Sequence, residues 1–259
     1  MTLTSLLLLS SLTCFHALLS LPPSSQSLLQ LGASTTWSKK QHGSSRWEGV
    51  SLNDKKLTSH TKSMIIKHGI HSNRTQELVH MNALLFQPPL PHRQAMDEYF
   101  KALMTKHPDL VCSTFARVLN DSLASNSDSP ISSSSLVFVL KSISRLFAEK
   151  KSTLDIHKLF PSNSNPILDI FDYSVQKQMT TIGVIVTSII AGKHLKDFAG
   201  VFSIYTRSKQ LAKELKIKDH YQHRLPDIVY GQTVVALAKL GAESQTYQIV
   251  CDMLEAGNS

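Results

Sequence analysis

Beyond residue 91, apolar residues recur at the spacing of an α-helix. Four of them stand at i, i+3, i+4 and i+7, on one face of a first predicted helix: Met96, Tyr99, Phe100 and Leu103. A second helix begins at Pro108, because a proline in the first turn forfeits no intrahelical hydrogen bond. The pattern therefore predicts an antiparallel helix pair immediately after the proline-rich stretch 88–91.

The same period continues toward the end of the chain. It predicts a third helix around 136–147, a short fourth over 154–160 and a short amphipathic piece over 169–175. Polar breaks over 120–135 and 163–166 separate these elements. The chain has no Asn-Gly or Asp-Gly hairpin and no long alternating strand. The predicted fold class is all-α.

The first 92 residues carry no sustained period, and we divide them into two parts. Residues 1–45 are predicted to be a targeting presequence or signal, and 46–92 a flexible linker with at most one short helix around 76–85. Residues 6–21 are apolar but interrupted by Ser, Thr and His, which argues against a membrane span. The lack of acids before Glu48 fits an organellar presequence, and the lack of any cation before Lys39 fits a secretory signal. The predicted helical domain, 93–259, follows this largely disordered leader.

Two stretches at the C-terminal end each read as an apolar helix, a glycine turn and a second helix. They cover 180–205 and 226–257, with the turns predicted at Gly192 and Gly241, where a left-handed residue ends the first helix. The predicted core faces of the second helices are Val201, Phe202 and Tyr205 in one stretch and Ile249, Val250 and Met253 in the other. A recurring helix pair cannot bury both of its faces alone, so this pattern predicts an α-solenoid of stacked antiparallel pairs.

The second stretch resembles a known helical repeat. The matching positions are Pro226, Asp227, Val229, Tyr230, Val234, Leu237, Lys239 and Gly241 in the first helix and turn, and Ile249, Val250, Met253 and 254–257 in the second helix. This pattern resembles a pentatricopeptide (PPR) repeat, and 180–205 resembles the same repeat more loosely. The interval between the two is longer than the family's spacing, so 206–224 is expected to lengthen the second helix or to add a connecting one.

The resemblance implies a function in RNA metabolism. Most proteins of this family bind single-stranded RNA in mitochondria or plastids and stabilise it, process it or activate its translation. The positions that the family uses to read a base match Asp227 and either Gly231 or, one residue on, Gln232. Gly231 has no side chain to hydrogen-bond a base edge, which weakens the case for base-by-base readout.

The charge of the chain is consistent with an anionic partner. The net charge is +8 and the pI about 9.4, which favours nucleic acid, acidic lipid or an acidic protein. Six cations cluster over 207–224 against only two acids: Arg207, Lys209, Lys213, Lys216, Lys218 and Arg224. On a helix, Lys209, Lys213 and Lys216 share a face at i, i+4 and i+7, which suits contact with a phosphate backbone; a solvated helix face is the alternative.

Other chemistry finds little support in the sequence. The three cysteines form no CxxC pair, and His220 with His223 and Asp219 is interpreted as a solvated group rather than a metal site. No nucleophile elbow or acid/base pair is recognisable, so we predict no enzyme activity, no metal and no cofactor. Among the tyrosines that could stack bases, Tyr205 and Tyr230 are assigned to the core.

We therefore predict a non-catalytic protein that binds single-stranded organellar RNA in its stability, processing or translation. The expected location is the mitochondrial matrix, with plastid or secretory pathway as alternatives, and the mitochondrial ribosome or membrane-associated expression machinery as possible further partners. No small-molecule substrate is expected. The alternative function is a helical scaffold or assembly factor that binds a protein partner. The last predicted helix ends close to Ser259, so we expect its outer face to be covered by further repeats or by a partner.

Overall fold

The computed structural model describes residues 57–125, 131–149 and 165–257, which fold as eleven helices. About 76% of this part of the chain is helical and none of it is a strand, so the all-α prediction is confirmed. The first six helices are α1 (Ser59–His71), α2 (Thr75–His80), α3 (Asn82–Leu85), α4 (Arg93–Leu103), α5 (Pro108–Ser125) and α6 (Ser133–Glu149). The last five are α7 (Pro166–Gln176), α8 (Ile182–Leu195), α9 (Phe198–Lys213), α10 (Asp227–Lys239) and α11 (Glu243–Gly257).

The helices pack mainly on close neighbours along the chain. Helices α1, α4, α6, α8 and α10 form a row in which each packs on the next. Helices α5, α7 and α9 each contact the helix before and the helix after, and α11 packs on α10. Stacked helix pairs would give this order of contacts. The solenoid itself stays a prediction.

The predicted faces of α4 and α5 form the core of the N-terminal half. Met96, Tyr99, Phe100 and Leu103 are all buried, as the period predicted. The ring of Phe86 lies 4.8 Å from that of Tyr99 and 6.0 Å from that of Phe100, measured between centroids, and Phe100 lies 6.4 Å from Phe115 on α5. Such aromatic contacts add to the free energy gained by burying the rings.

The prediction of a linker over 46–92 is wrong for the described residues 57–92. This stretch forms α1, α2 and α3, and the compact unit begins at Leu57 rather than at residue 93. Helix α1 packs on α4 and buries Ile66 completely. The predictions for 1–45, for 46–56 and for a helix over 154–160 lie outside the described residues.

Polar side chains on the buried face of α1 explain why its period was weak. Lys62 is buried, and its Nζ donates to the backbone oxygens of Gln87 at 2.5 Å and Pro89 at 3.0 Å. The Ser63 hydroxyl accepts from the backbone N–H of His92 at 2.8 Å. Helix α1 thus fixes the turn before α4 through hydrogen bonds, which hydrophobic spacing does not reveal.

Two predictions for the C-terminal helix pairs need correction. Gly192 is buried inside α8, and the left-handed residue that ends this helix is Lys196 (φ 60°). A Cβ at Gly192 would meet Cγ2 of Val201 at 2.6 Å, so the glycine permits close approach of α9 rather than a turn. Gly241 does have positive φ (73°), as predicted.

The predicted core face of α11 is only partly buried. Ile249 is fully buried, but Val250 is 37% and Met253 40% exposed. Ile249 is buried and Asp252, three positions further on the same face of α11, contacts Tyr205 and Lys209 of α9, so Val250 lies away from this contact. On α9 the predicted residues Val201 and Tyr205 are buried and Phe202 is half-buried.

No helix within the described ranges is both long enough and apolar enough to cross a membrane.

Candidate nucleic-acid groove

A groove of about 710 Å³ lies between the end of α7, the outer side of α9 and the loop that follows α9. Three of the predicted cations, Arg207, Lys216 and Lys218, line it together with Tyr221. Three glutamine side chains line it as well: Gln176, Gln178 and Gln210. The groove is thus bordered by cations, amides and one aromatic ring, which can contact a nucleic acid strand, and by two carboxylates, Glu214 and Asp219, which repel phosphates.

The loop after α9 is held in place by two buried side chains. Ile217 is 2% and Leu225 1% exposed, so the intervening residues are displayed from fixed ends. The backbone N–H of Lys218 donates to the carbonyl of Thr180 at 2.7 Å, which ties this loop to the turn before α8. With Ile217 inward, the exposed Lys216 and Lys218 flank it.

Arg207 is held on the wall of the groove by two neighbours on α7. Its guanidinium lies over the ring of Phe171, 5.2 Å from the centroid, and its Nη1 pairs with Oδ1 of Asp172. A cation over an aromatic face and beside a carboxylate has a restricted orientation. Arg207 is therefore a positioned group whose charge is partly compensated.

The two lysines of the groove differ in how far a carboxylate compensates their charge. Lys216 Nζ lies 2.5 Å from Oε2 of Glu214, and hydrogen bonds from Lys216 and then Gln210 hold the pKa of Glu214 below its ordinary value. Within the described residues Lys218 forms no ion pair, although the exposed carboxylate of Asp219 lines the groove beside it. Tyr221 is 84% exposed, and its ring faces solvent at the mouth of the groove.

Lys209 and Lys213 do not line the groove. Lys209 Nζ pairs with Oδ1 of Asp252 at 2.8 Å, and the hydroxyl of Tyr205 donates to Oδ2 of the same carboxylate at 2.7 Å. Burial opposes ionisation of Asp252, but these two hydrogen bonds outweigh it and the pKa of Asp252 is lowered. Lys209 thus helps to fasten α11 to α9.

The prediction that Lys209, Lys213 and Lys216 share one helical face is wrong for Lys216. Helix α9 ends at Lys213, so Lys216 lies in the loop and not one turn further along a helix. The sequence left open whether 206–224 lengthens the second helix or adds a connecting one. Residues 206–213 lengthen α9, and the residues after them form a loop with one isolated bridge, between Thr181 and Lys218. Tyr205 and Tyr230 are buried, as predicted, with their ring centroids 6.0 Å apart.

The predicted base-reading residues lie on α10, apart from the lining of the groove. Asp227 is the first residue of α10 and is exposed, Gly231 is exposed and Gln232 is half-buried. None of the three lines the groove. The structure therefore does not bring them together with Arg207, Lys216 and Lys218.

Three further side chains of the loop, those of His220, His223 and Arg224, are within hydrogen-bond distance of backbone carbonyl oxygens. A ring nitrogen of His223 is 3.0 Å from the carbonyl oxygen of Lys213, and one of His220 is 2.8 Å from that of Arg224. Arg224 donates to the carbonyl of Ala256 at 3.0 Å. Among the described residues, no three or more His, Cys, Asp or Glu side chains are grouped so that they could hold a metal.

Sequence reasoning missed the three glutamines of the groove, since an uncharged polar residue on an exposed helix carries no distinctive signal. No family model, curated protein or solved structure matches the chain. The resemblance to PPR repeats accordingly stays a prediction made from the residues alone.

Proposed function

We propose that the protein binds single-stranded RNA, without catalysis, in the groove between α7, α9 and the loop after α9. The observation that carries the proposal is the convergence of Arg207, Lys216, Lys218 and Tyr221 on one groove. Cations beside an exposed aromatic ring are the combination that single-strand binding proteins use, because phosphates and base faces recur in every sequence.

Each groove residue has a distinct part in the proposed binding. Lys218 and Lys216 neutralise phosphates, with Lys216 exchanging Glu214 for the RNA. Tyr221 stacks on a base, and the glutamine amides hydrogen-bond sugar or base edges. The mode tolerates many sequences, because no side chain of α10 that the PPR resemblance assigns to base readout lines the groove.

The charge balance of the groove sets a modest affinity. Asp172 and Glu214 pair with two of its three cations, and a further acid, Asp219, also lines the groove. Each phosphate that is neutralised adds about 0.7 to the slope of log K against log salt for a single strand. Lys216 and Lys218 together therefore give a slope of at most about 1.4. Stacking on Tyr221 contributes about 1–3 kcal/mol.

The test is a titration of the purified chain with fluorescent oligouridine at two salt concentrations. Tyr221→Ala is expected to weaken binding about tenfold or more, and Lys218→Ala to lower the salt slope by about 0.7. Two matched controls stand outside the groove: Tyr247→Ala, a tyrosine that is 73% exposed, and Lys101→Ala, an exposed lysine on α4. If the groove variants bind oligouridine as tightly as the wild type does, or lose no more affinity than the two controls lose, the proposal is wrong.

The proposed place of action is the mitochondrial matrix, which rests on the composition of residues 1–45 and on the resemblance to PPR repeats. A fusion of residues 1–45 to a fluorescent protein should enter mitochondria and lose the segment by cleavage. Import into plastids or secretion of the fusion would replace this location by one of the alternatives. The RNA-binding proposal would be unaffected, since it depends on the groove.

A further inference from the structure

The outer face of α10 is apolar and open. Ile228, Gly231, Val235 and Ala238 stand at i, i+3, i+7 and i+10, and all four are exposed, whereas the opposite face of α10 is buried against its neighbours. Ile228 is 55% and Val235 44% exposed. A Cβ at Gly231 would have nothing within 4 Å, so the backbone of α10 can be approached closely at this point.

Helix α11, which packs on α10, carries a second apolar stripe. Tyr247, Val250 and Leu254 stand at i, i+3 and i+7, on the side away from Ile249 and Asp252. Leu254 is 62% and Tyr247 73% exposed. Of the ten large apolar side chains that are exposed in the described part of the chain, six lie on these two helices: Ile228, Val235, Tyr247, Val250, Met253 and Leu254. We name the two stripes together the α10–α11 face.

The charges near the α10–α11 face are mostly negative. The exposed acids on the two helices are Asp227, Glu243 and Glu255, against a single exposed cation, Lys239. Helix α11 has no Lys or Arg at all. An apolar surface with an acidic border attracts a partner whose border is basic, because rim charges steer association and exclude like-charged partners.

We infer that the α10–α11 face binds an amphipathic helix of another protein, one whose apolar stripe is flanked by Lys or Arg. Apolar anchors at helical spacing are what such a helix packs against, and Gly231 lets its backbone come close to α10. A second copy of this chain that used the same face would set acids against acids. The inference is independent of the RNA groove, which involves neither helix.

The test uses two synthetic helical peptides of about 18 residues with the same leucine stripe, one flanked by lysines and one by glutamates. Fluorescence anisotropy with the purified full chain should show the lysine-flanked peptide binding about tenfold tighter or more. The double substitution Val250→Glu and Leu254→Glu should abolish that binding. It should leave oligouridine binding unchanged, because these residues lie outside the groove. Met64→Glu, at a methionine that is 40% exposed on α1, is the control and should bind both peptides as the wild type does.

A second variant tests the charge argument separately. Glu243→Lys with Glu255→Lys should reverse the preference so that the glutamate-flanked peptide binds tighter. Because Glu243 is the acid in the first turn of α11, circular dichroism at 222 nm checks that this variant folds as the wild type does. Equal binding of the two peptides, or binding that survives Val250→Glu with Leu254→Glu, would overturn the inference. Sedimentation that shows a dimer of the wild type and a monomer of this double variant would assign the face to a second copy instead.

Discussion

Gly192 and Gly231 both lie inside helices, but only Gly192 has a neighbour at the place of a Cβ. At Gly192 the added atom would stand 2.6 Å from Cγ2 of Val201, whereas at Gly231 it would meet nothing within 4 Å. Carbon atoms in contact prefer about 3.5–4.0 Å, so α8 and α9 would have to move apart by about 1 Å. Overpacking of this kind costs about 1–3 kcal/mol, and replacing a helical glycine by alanine gains about 1 kcal/mol.

Comparing Gly192→Ala with Gly231→Ala removes the helix-propensity contribution, which both substitutions share. We expect Gly231→Ala to raise the free energy of unfolding by up to about 1 kcal/mol, and Gly192→Ala to be less stable than Gly231→Ala by about 1–3 kcal/mol. Urea unfolding followed by circular dichroism at 222 nm measures both, with unchanged m-values as the check. In addition, Val201→Ala should relieve part of the loss in Gly192→Ala, seen as a favourable coupling energy. Equal stability of the two glycine variants would refute the close packing of α8 on α9.

Three further changes test contacts inside the domain. Asp252→Asn should lower the free energy of unfolding by about 1–2 kcal/mol near neutral pH, because the pair with Lys209 is lost. Since the pKa of Asp252 is lowered by folding, this difference should be full above about pH 4 and vanish as the pH falls through the folded-state value; a constant difference would contradict the pairing. Lys62→Met should cost about 1–2 kcal/mol in urea unfolding, because two carbonyl oxygens lose their donor; wild-type stability would show that these bonds contribute nothing. Iodoacetamide followed by mass mapping should label the half-buried Cys251 long before the buried Cys112, whose thiol pKa is raised by burial; equal labelling would show that the core opens.

The spacing of apolar residues was sufficient to predict a helix where the buried face of that helix is entirely apolar. Met96, Tyr99, Phe100 and Leu103 are buried as their spacing predicted, and α5 begins at Pro108. The period failed for α1, where Lys62 and Ser63 occupy the buried face through hydrogen bonds to a distant turn. Such bonds depend on which segments meet in three dimensions, and a local pattern does not contain that information.

The structural roles of the glycines and of the lysines could not be assigned from the sequence for a related reason. A glycine that ends a helix and a glycine that allows two helices to touch look the same in sequence, and α8 ends at Lys196 without a glycine. Lys209 and Lys216 were placed on one helical face, but α9 ends between them and Asp252, from a remote helix, pairs with Lys209. The cluster of cations was visible in the sequence, whereas its division between the groove and the α9–α11 contact was not.

The most direct test of the central claim is to map where RNA touches the protein. Oligonucleotides containing 4-thiouridine, irradiated in complex with the full chain, form crosslinks that mass spectrometry can place on a peptide. We predict crosslinks at Tyr221 and within the loop from Lys216 to Lys218, which line the groove. Crosslinks confined to Asp227, Gly231 and Gln232 on α10 would contradict the proposal that RNA lies in this groove. RNA binding without any crosslink at Tyr221 or in the loop from Lys216 to Lys218 would contradict it as well.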